Sequence, residues 1–359
     1  MSSRNYYIMS ADIPVAKWEN ENLMVINADL LPLYLKRISD ADSWLVTRAI
    51  DSHRPNSRLL KKALRLTERD DVSTVISVNG VTITDNYWIK ELESNLKYED
   101  VKFKNDYFSN LALKGSYNSF NRAANSKNTR TPELTNIGSF EKCWKLRNGQ
   151  WWMYKIADHS EMFSELFVYL LGKALNMNMA YYEKGKGYVK TLDFTKNAQV
   201  NFEPAFAFMG DNEDYEAVIK KLQEICPNAI PDYIRMIFLD TVTANPDRHT
   251  FNFGLLRDTD SGKLLGLAPN FDNNMALIAR GYPSEPKKSD LLITLFNEVL
   301  EKHPEYREYL PVISRETVKK CVDELNMKVK RDNVVQLVMN RYELIKTTIS
   351  VSDEINRNL

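Results

Sequence analysis

Two short segments of the sequence decide the fold that we predict, namely Asn245-Pro-Asp-Arg-His-Thr-Phe-Asn252 and Ala268-Pro-Asn-Phe-Asp272. Asp247 precedes Asn252 by five positions, and Asp272 follows Asn252 by twenty. Each of these residues alone has an ordinary explanation as a turn or N-cap residue. Because all three lie in a fixed order next to apolar elements, the pattern favours a site of oxygen ligands over three unrelated turns.

Phosphoryl transfer from a nucleotide is the chemistry that uses such a set. It requires a carboxylate that orients the acceptor hydroxyl, and oxygen ligands for magnesium. Protein kinases place a base Asp five residues before a metal-binding Asn and carry a second metal-binding Asp on a later loop. His249 is predicted to brace the first loop, since none of the other three histidines lies at metal-ligand spacing.

Lys155 and Glu165 form a second candidate pair. Lys155 lies near the end of the apolar strand Gln150–Ile156, from which a lysine can reach nucleotide phosphates. Glu165 is the one acid on an apolar side of the helix predicted to begin at the N-cap Ser160, so it needs a partner. The alternatives are a lysine that extends from an edge strand into water and a solvated glutamate.

Gly138-Ser139 precedes this strand and is a candidate phosphate-covering loop, with Lys142 as a further contact. The loop carries one glycine where protein kinases have three, so the motif is weak by itself. Its position just before the strand pair with Lys155 is what favours a role in phosphate binding.

The composition excludes several classes of protein. The 48 basic and 48 acidic residues leave no net charge, which argues against a nucleic-acid wrapper or a polybasic membrane binder. Three scattered cysteines disfavour a disulfide framework or a structural zinc site and fit a reducing compartment. Without a long apolar run or signal-peptide block, the sequence predicts a soluble cytoplasmic protein.

The organisation along the chain predicts three segments. Residues 1–110 read as a helical N-terminal extension, with a β-hairpin at Asn79-Gly80 between the β-branched runs of 72–84. Residues 111–194 form an N-lobe that begins with a polar connector over 116–136 and continues into strands. Residues 195–359 form a helical C-lobe that carries Asp247, Asn252 and Asp272. A strand-rich half followed by a helical half predicts two lobes with a cleft.

At this point the sequence resembles the HipA-like serine/threonine kinases, a family of toxin and effector kinases. The resemblance covers about residues 130–280 and is carried by Leu134-Thr-Asn-Ile-Gly-Ser-Phe-Glu-Lys142, Lys155, Ser164-Glu-Leu-Phe-Val-Tyr-Leu-Leu-Gly-Lys-Ala-Leu-Asn176 and the two segments quoted first. It implies an α+β, bilobal, protein-kinase-like fold related to phosphoinositide kinases. Because residues 1–68 read as helical, we expect a short form that lacks the family's N-terminal β subdomain.

The resemblance also implies roles for individual residues. Asp247 would be the catalytic base, and Asn252 and Asp272 would be the magnesium ligands. Lys155 would hold the ATP phosphates with Glu165 as its helix partner. The expected nucleotide hinge consists of Leu192, Asp193 and Phe194. Thr135 occupies the position of a serine whose autophosphorylation inactivates family members by pulling the loop out of the site.

The function implied is an ATP- and Mg²⁺-dependent serine/threonine protein kinase that could autophosphorylate. By family analogy its substrate is a translation factor such as an aminoacyl-tRNA synthetase, and an antitoxin is a candidate partner. Direct nucleic-acid binding and membrane binding are not expected. The alternatives are a small-molecule kinase and a catalytically silent binding module on the same fold.

Overall fold

The computed structural model describes residues 4–66, 70–125, 127, 129–282 and 289–357, with side chains up to residue 345. The chain divides into two compact units. The first unit comprises Met1–Ile156, Lys190–Phe208 and Leu256–Leu264, and the second comprises Ala157–Val189, Met209–Leu255 and Leu265–Leu359. The prediction of three functional segments remains a prediction.

The strands are β1 (Tyr6–Ser10), β2 (Ile13–Glu19), β3 (Asn22–Val25), β4 (Tyr87–Glu91), β5 (Lys142–Arg147), β6 (Gln150–Ile156), β7 (Tyr182–Lys184), β8 (Tyr188–Leu192), β9 (Val200–Pro204), β10 (Gly254–Asp258) and β11 (Leu264–Leu267). The helices are α1 (Leu33–Arg37), α2 (Ala41–Val46), α3 (Ser57–Ala63), α4 (Asp71–Ile76), α5 (Tyr98–Val101), α6 (Ser109–Lys114), α7 (Tyr117–Ala124), α8 (His159–Ala174), α9 (Phe206–Met209), α10 (Tyr215–Ile225), α11 (Ile230–Val242), α12 (Leu291–Lys302), α13 (Arg315–Leu325) and α14 (Arg331–Arg357). Short 3-10 helices cover Pro132–Thr135, Pro227–Ala229 and Pro304–Tyr309.

The N-terminal part of the first unit contains a four-stranded antiparallel sheet in the order β3-β2-β1-β4. One face of the sheet buries Ile8 and Tyr87 in one hydrophobic cluster, and the other buries Met9 and Trp88 in a second. The prediction of an N-terminal extension built from helices, and of a missing β subdomain, is therefore wrong. Because β1 and β4 are buried on both faces, they lack the apolar–polar alternation that identifies a strand in a sequence.

The predicted hairpin over residues 72–84 is also wrong, because residues 71–76 form α4. The Asp70 carboxylate accepts a hydrogen bond from the Ser73 amide and caps this helix, which outweighs the β preference of its branched residues. Asn79 and Gly80 do adopt positive φ, at 57° and 69°. They form the turn that ends the helix, where the Gly80 amide donates to the Val75 carbonyl.

Two further segments differ from their predicted structure. Residues 87–91 lie in the N-terminal extension that we predicted to be helical, but they form the strand β4, which pairs with β1 from Tyr6↔Glu91 to Ser10↔Tyr87. The predicted connector over 116–136 contains α7, which is capped by Ser116, and the 3-10 helix Pro132–Thr135. Residues 126 and 128 of this connector lie outside the described residues. In both segments tertiary pairing and a cap decide a structure that composition alone leaves open.

The predicted strand pair that carries Lys155 is confirmed. β5 and β6 are antiparallel, with register from Lys142↔Lys155 to Arg147↔Gln150, and they turn at Asn148-Gly149, both at positive φ. The end of β8 continues this sheet beyond β6. Trp144 and Trp151 from this pair enter the same hydrophobic cluster as Met9 and Trp88.

The second unit is mainly helical, as predicted. Helix α11 is buried along nearly its whole length and packs on α12 and α14, while α13 packs on α8 and α14. Because α11 lies in the core of this unit, the loop that follows it lies next to rigid structure. Within the described residues, no helix combines the length and apolar character needed to cross a membrane.

Helix α8 carries Glu165, and its N-cap lies two residues earlier than predicted. Its N-cap is Asp158 and not Ser160: the Asp158 carboxylate accepts from the amides of Ser160 and Glu161, and the Glu161 carboxylate accepts from the Asp158 amide. This reciprocal pair is a capping box, which satisfies two amides that the helix itself cannot.

We expect Asp158→Ala to lower the free energy of unfolding by about 1 kcal/mol, because it removes the N-cap acceptor. Ser160→Ala is the matched control and should be neutral or slightly stabilising, since alanine favours a helix interior. Urea unfolding of both variants against the parent protein measures the difference. A larger loss for Ser160→Ala than for Asp158→Ala would contradict the assigned cap.

Candidate active site

The loop after α11 presents Asp247 on a closed turn. The Asp247 carbonyl accepts the His249 amide at 3.0 Å and the Asn252 side-chain amide at 2.8 Å, and the Asn252 backbone amide donates to His249 at 2.8 Å. His249 Nδ1 accepts the Phe251 amide, so His249 braces the loop from within. The half-buried carboxylate of Asp247 accepts no hydrogen bond from any described residue.

Asp272 lies on a second loop, which follows β11. This loop is held by the Ala268 amide on the Gly254 carbonyl and by paired backbone bonds from Asn270 to Asn178 and Ala180. Asp272 has φ +60°, in the left-handed region that few residues other than glycine adopt. Its amide donates to the hydroxyl of Tyr182 at 3.0 Å.

One buried guanidinium joins the two loops. Nη1 of Arg248 donates to the Asn252 carbonyl at 2.9 Å and to the Phe271 carbonyl at 2.6 Å. Nη2 donates to the side-chain oxygens of Asn270 at 3.2 Å and Asn273 at 2.6 Å. The carbonyl of Asn252 and the carbonyl of Phe271, which precedes Asp272, therefore accept from the same nitrogen of Arg248.

Asp240 on α11 anchors that guanidinium. Its carboxylate accepts from Nε and Nη2 of Arg248, each at 2.8 Å, and from the side-chain amide of Asn245 at 2.9 Å. Asn245 in turn accepts the Asp247 amide at 3.3 Å. Because Asp240 and Arg248 are both buried, the carboxylate compensates the charge that the core would otherwise exclude. These hydrogen bonds therefore fix the loop that carries Asp247 relative to helix α11.

Glu165 lies beneath the second loop. Its Oε1 accepts the backbone amide of Asn273 at 2.8 Å and is 3.4 Å from the Asn273 side-chain amide, and the side chain is about 1% exposed. Burial, together with the carboxylates of Glu165 and Asp272, raises the pKa of Tyr182 well above its ordinary value. Tyr182 therefore keeps its proton while its oxygen accepts from Asp272.

The second unit thus brings together four of the predicted site residues, Asp247, Asn252, Asp272 and Glu165. Their predicted roles remain predictions, and so does the pairing of Glu165 with Lys155. The structure places Glu165 in direct contact with the Asp272–Asn273 segment, a contact that the sequence argument did not include.

The donor set of these loops fits magnesium. Among the described residues no three His, Cys, Asp or Glu side chains converge as a metal cluster. Magnesium does not need one, since it usually binds through one or two carboxylates and completes its shell with water and substrate phosphates. The Asn252 side-chain nitrogen donates to the Asp247 carbonyl, so Oδ1 is the Asn252 atom that could act as a metal ligand.

The candidate phosphate loop of the first unit carries two lysines on one face. Lys142 and Lys155 are directly opposite across β5 and β6, and the Lys155 ammonium lies 4.4 Å from the centre of the Phe140 ring. Gly138 has φ +106°, and the Lys142 ammonium occupies the space that a Cβ at position 138 would need. Ser139 is exposed. The glycine lets the Lys142 ammonium lie close to the loop backbone, and the two lysines supply positive charge for an anion.

Buried polar groups lie at the base of this loop. Glu133, about 1% exposed, accepts the Trp144 amide at 2.8 Å, the Asn136 side-chain amide at 3.1 Å and a guanidinium nitrogen of Arg54 at 3.4 Å. Burial raises the pKa of Glu133 from its ordinary 4.5 to about 7, although the positive charges of Arg54 and Lys142 oppose this shift.

Among the predicted hinge residues, Asp193 already uses its amide and its carboxylate in hydrogen bonds within the protein. Its amide donates to the Trp151 carbonyl at 3.0 Å, and its buried carboxylate accepts from Thr195 and the Asn197 amide. Phe194 packs edge-on against Phe202. Leu192 ends β8.

The neighbouring Thr191 offers a polar atom that a nucleotide could use. Its buried hydroxyl has no hydrogen-bond partner among the described residues. A buried hydroxyl of this kind is costly unless a ligand or water satisfies it. The site beside the predicted hinge therefore fits a polar ligand such as a nucleotide base.

Thr135 is about 5% exposed, and its hydroxyl donates to the Val81 carbonyl at 2.6 Å. A second carbonyl, that of Pro132, lies 3.3 Å away. Phosphorylation of Thr135 would require this segment to leave the described position, because a phosphate cannot replace a buried donor.

Sequence reasoning did not identify Arg248, Asp240 or Tyr182. A signal for Asp240 is present in the sequence: it is an acid that directly follows the apolar run 236–239, and the same kind of observation identified Glu165. Arg248 lies inside the quoted motif but has no chemistry of its own in the reaction. Tyr182 has no local signal, because its role depends on a residue ninety positions away.

Comparisons with known proteins agree with this architecture. No protein-family model and no curated protein matches the chain. Among solved structures, HipA from the Shewanella oneidensis MR-1 toxin–antitoxin complex with HipB and operator DNA is similar, with 11% identity and a TM-score of 0.53 over 96% of this chain and 99% of that chain. The Helicobacter pylori proinflammatory kinase CtkA matches 60% of this chain and 95% of that chain, with 16% identity and a TM-score of 0.46.

The class of fold is therefore the kinase-like α+β fold, as expected from the sequence. The particular likeness is to HipA, and it is a likeness of fold that extends over nearly the whole of both chains. The likeness therefore includes the part of this chain that forms the N-terminal sheet. It does not support the short form that we expected from the sequence.

We expect Arg248→Met to lower the free energy of unfolding by about 3–5 kcal/mol, because Asp240 would remain buried and charged without its partner. Arg235→Met is the matched control on α11. Arg235 is half-exposed, so its loss should cost less than about 1 kcal/mol. Chemical denaturation measures both, and equal losses would contradict the role assigned to Arg248.

We also expect a pH-dependent component of stability from Glu133. Its pKa is raised in the folded chain, so folding takes up a proton between about pH 5 and pH 7, and this contribution to stability falls as the pH rises through that window. Glu133→Gln cannot titrate and should lose this slope. Urea unfolding at several pH values compares the two proteins, and identical slopes would contradict the assignment.

Proposed function

We propose that this protein is an ATP- and Mg²⁺-dependent kinase of HipA-like type that transfers phosphate to a serine or threonine hydroxyl of a protein. One observation carries the proposal: Arg248 holds the carbonyls of Asn252 and Phe271 on a single nitrogen, next to the closed turn that presents Asp247. This arrangement supports one base and two metal ligands acting as a set.

In the proposed reaction Asp247 accepts the proton of the acceptor hydroxyl. Its carboxylate suits this role because it accepts no hydrogen bond from the described residues, while the turn fixes its backbone. Asn252 Oδ1 and the Asp272 carboxylate would hold magnesium, which when bound neutralises charge on the phosphates. Glu165 and Tyr182 keep Asp272 in its left-handed conformation.

Lys142 and Lys155 would bind nucleotide phosphates beneath the Gly138-Ser139 turn. Both project from the same face of the β5–β6 pair, and an anion between like charges offsets their repulsion. The backbone of Leu192 and Phe194 would contact the base, and the Thr191 hydroxyl is an additional group that could bind it. The Asp193 amide is not included because it already donates to a carbonyl of β6.

Autophosphorylation at Thr135 is part of the proposal as a conditional event. The hydroxyl is buried, so the modification requires release of the segment from Val81. Once made, the phosphate would prevent the segment from returning, which gives a physical route to inactivation.

The partners are proposed by analogy. The HipA of the Shewanella structure is in complex with HipB and operator DNA, and we propose an antitoxin-type protein as a partner of this chain. The proposed substrate is a translation factor such as an aminoacyl-tRNA synthetase. The three free cysteines are buried in the reduced form, which supports a cytoplasmic setting.

The test is incubation with magnesium and γ-labelled ATP, followed by mass spectrometry of the intact chain, its peptides and added protein acceptors. We expect Asp247→Asn to reduce transfer about 100-fold or more, because the proton acceptor is lost. Asp272→Asn should reduce transfer and raise the magnesium concentration required.

Asp260→Asn is the matched control, since Asp260 is exposed on the β10–β11 turn and should leave transfer unchanged. Full transfer in both the Asp247 and Asp272 variants would overturn the assigned roles. Transfer to sugars or aminoglycosides in preference to proteins would favour the small-molecule kinase. Absence of nucleotide binding would favour the silent binding module.

A further inference from the structure

Arg54, in the turn before α3, contacts both ends of the candidate phosphate loop. Its Nη1 donates to the Asn136 carbonyl at 3.1 Å, and its Nη2 donates to the Lys142 carbonyl. The residues between these two carbonyls are 137–141, which include Gly138 and Ser139. The guanidinium therefore bridges the base of the loop in the same way that a short cross-link would.

This bridge is built into the core. Arg54 is about 1% exposed, and its charge is compensated by Glu133, which also accepts the Asn136 side chain and the Trp144 amide. Asn136 and Trp144 lie on opposite sides of the loop, so the carboxylate ties the same two ends as the guanidinium. A planar fork with several fixed donors can hold two carbonyls at once, which a lysine ammonium does less well.

Two more hydrogen bonds connect the same segment to the N-terminal region. The Ile50 amide donates to the Leu134 carbonyl at 2.9 Å, and the Thr135 hydroxyl donates to Val81. Residues 1–110 therefore hold the segment immediately before the loop as well as the loop's base. The sequence alone predicts no functional role for this region.

We propose that Arg54 is a positioning residue for nucleotide binding, which closes the base of the 137–141 loop so that its amides and Lys142 are preorganised for phosphate. The inference rests on the proposed function, because it needs this loop to contact the nucleotide. It goes further in making the N-terminal region a part of the nucleotide site. A loop with both ends fixed loses less conformational freedom when an anion binds.

The decisive variant is Arg54→Lys, which keeps the charge opposite Glu133 but cannot hold both carbonyls. We expect its dissociation constant for a non-hydrolysable ATP analogue with Mg²⁺, measured by calorimetry, to rise about tenfold. The KM for ATP should rise in parallel, while kcat at saturating ATP changes less than about twofold, since Arg54 touches no reacting group. Hydrogen exchange of amides 137–141 should accelerate in the free protein.

Arg58→Met is the matched control, because Arg58 is exposed on α3 and makes no hydrogen bond to a described residue. Arg54→Met with Glu133→Gln covers the case in which a single variant unfolds, since it removes both charges together. It should show the same loss of affinity and the same faster exchange.

The outcomes separate this inference from the proposed function. If Arg54→Lys leaves both nucleotide affinity and exchange of 137–141 at the parent values, the positioning role is overturned. If exchange accelerates while the parent protein binds no nucleotide, Arg54 orders the loop, and it is the proposed function that fails. A fall in kcat with unchanged KM would also overturn the inference, because it would indicate a role in the chemical step.

Discussion

The buried pair of Asp240 and Arg248 is the constraint on which the second unit depends. A guanidinium in the core is tolerated because Asp240 compensates its charge, and its other donors bind both loops. Pairs of this kind contribute little net stability compared with apolar residues of the same size. Their value lies in geometry: five donors in one plane fix the carbonyls of Asn252 and Phe271 relative to the helix α11.

The first unit uses the same device with different residues. Arg54 and Glu133 are buried together, and their hydrogen bonds tie the two ends of the loop that contains Gly138. In each unit a buried arginine that is paired with one acid also donates to two backbone carbonyls of a candidate site loop. Side chains that hold backbone in this way allow the loop itself to keep a sequence suited to its ligand.

How much of the structure can be predicted from the sequence depends on whether each signal lies within a few neighbouring residues. The strand pair with Lys155 and the mainly helical character of the second unit follow from patterns within a few residues, and the structure shows both. The strands β1 and β4 are buried on both faces, so their sequence lacks the alternation that would predict a strand. Arg54, Tyr182 and Arg248 act through contacts between segments far apart in sequence, and no local pattern distinguishes such a residue from an ordinary buried one.

Asp272 shows why the supporting residues are as necessary as the ligand. Its φ of +60° costs free energy in a residue with a side chain, so the conformation persists only where neighbours determine it. Tyr182 accepts its amide, Glu165 accepts the next amide, and Arg248 holds the carbonyl before it. The two peptide units on either side of the Asp272 Cα are thus fixed by three different side chains of one unit. A carboxylate held in this way needs little rearrangement to bind a cation, which is the physical reason to expect the metal ligand at this position.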